Sequence, residues 1–71
     1  MSKSNTRVAE IATDFDSMER AYYWVKFYDL SKGKQHLIKR PFRTWEDAKS
    51  TADAWQYDDG FYKLTMREIG G

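Results

Sequence analysis

The chain contains no cysteine, one proline and one histidine in 71 residues. Without thiols it has no disulfide, no thiolate metal site and no cysteine nucleophile, a composition that suits the reducing cytoplasm. Its glycines stand alone at Gly33 and Gly60 and paired only at Gly70 and Gly71, so no glycine-rich loop can cradle a phosphate. No apolar run approaches the roughly 18 residues of a membrane span, and no stretch near Met1 has the roughly 7 to 15 apolar residues of a secretory signal. These absences predict a cytoplasmic protein that folds on its core alone, with no cofactor.

Rings are what the chain has in abundance: three Trp, five Tyr and four Phe, 17% of all residues. A domain of this size buries only about 60% of its unfolded surface, and each ring can cover roughly 150 to 250 Å². About half of the rings fill such an interior, so several are expected outside. The length fits one small domain, read as residues 7–71 behind a loose polar tail at residues 1–6.

Charge is balanced in total and segregated along the chain, with 12 Lys and Arg against 11 Asp and Glu. Residues 20–43 carry Arg20, Lys26, Lys32, Lys34, Lys39, Arg40 and Arg43 against Asp29 alone. Residues 44–59 carry Lys49 against Glu46, Asp47, Asp53, Asp58 and Asp59. A basic block therefore precedes an acidic one, as in a surface with two poles.

In Arg7 to Glu19 the apolar residues Val8, Ile11, Phe15 and Met18 recur at helical spacing, yet Val8 to Ala12 reads equally as a short edge strand. This first element stays open between the two. Ala21 to Leu30 is the clearest strand, being rich in aromatic and β-branched residues. Ser31 to Lys34 predicts a turn in which Gly33 takes a positive φ, and Gln35 to Arg40 returns as a second strand that Pro41 ends or confines to an edge. Thr44 and Asp47 form a capping signal for a helix running to about Gln56, with Trp45, Ala48, Ala52 and Trp55 on its inner stripe. Tyr57 to Gly60 reads as an exit turn, and the alternation of Phe61 to Ile69 predicts a third strand. The expected architecture is α/β (α+β): a three-stranded antiparallel or mixed sheet with one helix on one face, in the order β-β-α-β, behind the uncertain first element.

Alternation then sorts the side chains. With Tyr23, Val25, Phe27, Tyr62, Leu64 and Met66 toward the helix, the opposite face carries Tyr22, Trp24, Lys26, Tyr28, Phe61, Lys63, Thr65 and Arg67. Lys39 joins this face, and Lys32 and Lys34 extend it at the hairpin tip. Rings among cations on a sheet can stack unpaired bases and neutralise phosphates, and they are equally the residue types at the centres of protein interfaces. The competing expectation is that the first segment, through Val8, Ile11 and Phe15, folds across this face and makes it a second core layer.

Catalysis has little to stand on. The lone His36 has no serine or carboxylate placed around it by sequence, and the neighbouring Asp58 and Asp59 suit a turn better than a metal. The run from Trp24 to Arg40, followed by a capped helix, is similar to the opening of ubiquitin-like β-grasp domains, which continue with more strands than the residues after Phe61 can supply. A short aromatic hairpin followed by Phe42 to Ala48, F-x-T-W-E-D-A, resembles the small sheet-and-helix DNA-binding modules of integrases and AP2-type factors. Those modules place three strands before the helix, one more than the two convincing strands read here.

The expected function is that of a non-enzymatic binding module whose basic, aromatic sheet face and hairpin dock onto a larger protein or nucleoprotein. The eleven carboxylates favour a partner with its own charge pattern, and direct binding of single-stranded or duplex nucleic acid through the same face is the alternative. A two-fold dimer through that face is a further option. Size and composition resemble the small accessory proteins of bacteria and their phages that inhibit or adjust a larger machine.

Overall fold

A computed structural model describes residues 5–70. Residues 1–4, most of the expected tail, and Gly71 lie outside the described residues; the carbonyl of Thr6 accepts from the Leu30 amide at 2.9 Å. The elements are β1 (Arg7–Phe15), β2 (Ala21–Asp29), a 3-10 turn (Leu30–Lys32), β3 (Ile38–Phe42), α1 (Trp45–Tyr57) and α2 (Asp59–Gly70). The mixed α and β class is as expected. The order is not: three antiparallel strands in the spatial order β1-β2-β3 precede two helices.

The uncertain first segment is a full edge strand. Its pairing with β2 runs from Arg7 opposite Asp29 to Phe15 opposite Ala21. The nine-residue β2 offers a long row of amides and carbonyls, and the five residues of β3 pair only part of one side. β1 satisfies the other side completely, which a helix could not do. The β1–β2 turn is tied by the Asp16 carboxylate, which accepts from the Met18 and Arg20 amides at 2.9 Å each.

The return to β3 is longer than a tight hairpin. Asp29 caps the 3-10 turn, accepting from the Ser31 amide at 3.0 Å, and Gly33 at φ 124° lets the chain leave it. β3 then pairs with β2 from Ile38 opposite Phe27 to Phe42 opposite Tyr23. Pro41 lies within it, tolerated because β3 is the sheet's other edge.

Helix α1 begins where its signals place it. The Thr44 hydroxyl accepts from the Asp47 amide at 3.2 Å, and Glu46 and Asp47 put carboxylates in the first turn. Ala48, Ala52 and Trp55 are buried with Val25 and Phe27, and the Trp55 ring stacks on Phe27 with centroids 4.9 Å apart. The small alanines let the helix approach β2. Trp45, at the head of the same stripe, is half exposed and meets Tyr23 edge-on.

The predicted last strand is instead α2. Asp58 ends α1, its amide bonding the Ala54 carbonyl at 2.8 Å, and starts α2, its carboxylate accepting from the Gly60 and Phe61 amides at 2.9 and 3.2 Å. A single residue thus joins the helices. Phe61, Tyr62, Thr65, Met66 and Ile69 recur at i, i+1, i+4, i+5 and i+8, a helical stripe that the alternation concealed. Thr65, expected on the outer face, is buried, and Phe61, Tyr62 and Met66 pack against the core, whereas Leu64, expected inside, is exposed.

Candidate interaction face

Both helices lie on one side of the sheet, and no element of the described residues lies over the other. The first segment therefore does not cover the aromatic face. Because residues paired across antiparallel strands point the same way, the register reads this face row by row. Asp14 stands opposite Tyr22, Ala12 opposite Trp24 and Pro41, Glu10 opposite Lys26 and Lys39, and Val8 opposite Tyr28. The face carries Glu10 and Asp14 on β1, three rings and Lys26 on β2, and Lys39 on β3 with Arg43 just past its end.

Local contacts fix the rings. Tyr22 and Trp24 meet edge to face with centroids 5.6 Å apart, and the Lys39 ammonium lies 4.6 Å from the Trp24 centroid. The Arg43 guanidinium lies 5.8 Å from the Tyr22 centroid, while the His36 ring stands edge-on to Tyr28 at 6.2 Å. Tyr22, Trp24, Lys26 and Tyr28 are half-buried by these neighbours.

Carboxylates hold the acidic side in place. The Phe15 amide, aided by Tyr22 and Trp24, holds the Asp14 carboxyl below the ordinary range despite some desolvation; Tyr22 donates to it at 3.3 Å. Asp16 is held below that range first by the Arg20 amide, then by Arg43, whose guanidinium donates to it at 3.0 Å. Glu10 approaches Lys26 at 3.9 Å. At the solvated edges these pairs order side chains more than they stabilise the fold.

Of the residues singled out from the sequence, the structure brings Tyr22, Trp24, Lys26, Tyr28 and Lys39 together on this face. Lys32 and Lys34 stand at its end, along a 480 Å³ groove in the β2–β3 connection. Phe61, Lys63 and Arg67 do not belong to it. Phe61 packs edge-on against Phe27 on the helix side, 6.0 Å between centroids, and Lys63 and Arg67 flank exposed Leu64 along a 560 Å³ groove on α2. The reason is the change of element: a strand would alternate them across a sheet, whereas the helix carries them to the opposite side of the molecule.

Sequence reasoning missed the β1 half, Val8, Glu10, Ala12 and Asp14, and the flanking His36, Pro41 and Arg43. The period-2 signal is short, since only Ala9 and Ile11 pack inward, and apolar Val8 and Ala12 on the opposite parity mask it. Among the described residues no group of three or more His, Asp or Glu side chains is placed to hold a metal, and no helix is long and apolar enough to cross a membrane. Comparison with protein-family models, curated proteins and solved structures finds no match.

Proposed function

We propose that this protein is a non-catalytic docking module of the cytoplasm that engages a larger protein or nucleoprotein through the open face of its sheet, as an inhibitor or modulator of that machine. The observation that carries the reading is a ring-rich face that neither helix covers, with Glu10 and Asp14 on one side of the β2 aromatics and Lys39 and Arg43 on the other. Aromatic centres with charged margins are the composition of specific interfaces, and opposed columns of charge fix the register of a partner. His36, the one imidazole, is exposed beside Tyr28, a setting that argues for contact and not for general-base work.

Direct nucleic-acid binding is the second reading, and one observation favours it. The third strand before the helix removes the departure from the integrase and AP2-type arrangement, and three strands at about 4.8 Å spacing match the roughly 12 Å major groove of a duplex. Lys39 and Arg43 on the rings, with Lys32 and Lys34 at the end, would meet phosphates; Glu10 and Asp14 on the same face oppose it.

Affinity capture with nuclease-treated lysate of the source cell separates the two. The wild-type chain should retain one dominant polypeptide that Trp24→Ala and Lys39→Glu lose and that Lys63→Glu, on the far side, keeps. Retention unaffected by Trp24→Ala would overturn the assignment of the face. Loss of the partner after nuclease, with a salt-sensitive shift of a labelled duplex, would move the function to nucleic acid.

A further inference from the structure

We propose that in the free protein the open face is closed by the same face of a second copy, about a two-fold axis parallel to β2. The proposal goes beyond the docking reading and gives the partner a competitor. It rests on the order of charge across the sheet: Glu10 and Asp14 on β1, rings on β2, and Lys39 with Arg43 on the β3 side.

Two ways of laying such a face on itself are simple. A half-turn about an axis across the strands sets β1 on β1, and carboxylates then meet carboxylates. A half-turn about an axis along β2 sets β1 of one copy over β3 of the other. Glu10 then faces Lys39 of the second copy and Asp14 faces Arg43, each pair occurring twice, while Trp24 meets its own counterpart at the axis. Only the second arrangement opposes unlike charges, and like charges facing one another at close range are costly. Two sheets packed in this way are aligned within about 30° and about 10 Å apart, the arrangement of a β-sandwich.

Lys26 limits the strength of the pair. It lies on the axis strand and faces its own counterpart, with Glu10 of the same copy at 3.9 Å to offset the charge. That row makes the dimer reversible and sensitive to salt. A partner of the docking kind, offering the same columns without the central lysine clash, displaces the second copy.

Sedimentation equilibrium of the purified chain between roughly 10 µM and 1 mM tests the pairing without any partner present. The wild type should pass from monomer to dimer, with the dissociation constant rising about tenfold or more between low and high salt. The double variant Glu10→Lys with Asp14→Lys should be monomeric, and so should Lys39→Glu with Arg43→Glu. An equal mixture of the two should restore a mixed dimer, because each then offers the columns the other lacks. Circular dichroism melts identify a variant that fails to fold, in which case the salt series and Trp24→Ala, expected to abolish the dimer, carry the test. A wild type that stays monomeric throughout, or charge-reversed variants that dimerise alone as the wild type does, would overturn it. Either result leaves the partner-capture experiment standing.

Discussion

At the scale of single residues, the least exchangeable group is Asp29. Its carboxylate is buried, caps the 3-10 turn, accepts from the Ser31 hydroxyl at 2.6 Å, and takes the Tyr62 hydroxyl at 2.9 Å. Burial pushes its pKa up, but the hydrogen bonds from Ser31 and Tyr62 outweigh burial and leave it below the ordinary carboxylate value. The folded protein therefore holds this proton less tightly than the unfolded chain, and the stabilisation is complete above about pH 4 and lost as pH falls through the lower folded value. Melting temperatures followed from neutral to strongly acid pH should show the advantage of wild type over Asp29→Asn shrinking below about pH 4. Burial and Asp29 raise the Tyr62 phenol in turn, so the same bond fails again only as pH climbs past about 10. Tyr62→Phe should cost about 1.5 to 3 kcal/mol by chemical denaturation, the range for a hydrogen bond to a charged group. A cost below about 0.5 kcal/mol would show that the bond is not formed in solution. None of this polar network was legible beforehand. Asp29 reads in the sequence as the charged end of a strand, and its partner Tyr62 comes from an element 33 residues away.

At the scale of elements, local signals were decisive where they were strong. Thr44 and Asp47 marked the start of α1, and Ala48, Ala52 and Trp55 its buried stripe, to within a residue or two of the observed helix. Phe61 to Ile69 satisfies both an alternating and a helical period, and the choice between them falls to a cap. Asp58, taken as part of a turn, is that cap. Asp58→Ala should therefore cost about 0.5 to 2 kcal/mol. Amide hydrogen exchange locates the effect: protection should fall across α2 and stay nearly unchanged in β2, and uniform loss would mean that α2 has no local opening of its own. Polar contacts at both ends supplement the packing of Phe61, Tyr62 and Met66 in holding α2. Arg7 bonds Asp59 at 2.7 Å and lies 4.6 Å from the Tyr62 centroid, and Arg40 bonds Glu68 at the far end. The sequence of β1 admits both a helix and a strand for a different reason. The hydrogen-bonding needs of β2, which decide it, are a property of the assembled sheet.

At the scale of the whole molecule, a single sheet separates two populations of aromatic residues. Phe27 and Trp55 are fully buried on the helix side, while Tyr22, Trp24 and Tyr28 line the open side. Strand alternation in the sequence thus gives the correct partition of β2, and the wrong one for Phe61, which lies on a helix. Phe27→Ala should cost about 3 to 5 kcal/mol, enough to unfold most of a domain whose total stability is expected near the low end of about 5 to 15 kcal/mol. Trp24→Ala should cost clearly less while removing binding. Thermal melts of the two variants check the contrast, and equal losses would mean that the open face is part of the folding core.

Because the load of folding falls on one side of the sheet, the other is free to change. Alternate residues of three adjacent strands can be rewritten together with little penalty to the scaffold. A randomised library confined to that side should yield mostly folded proteins, with thermal melts as the check.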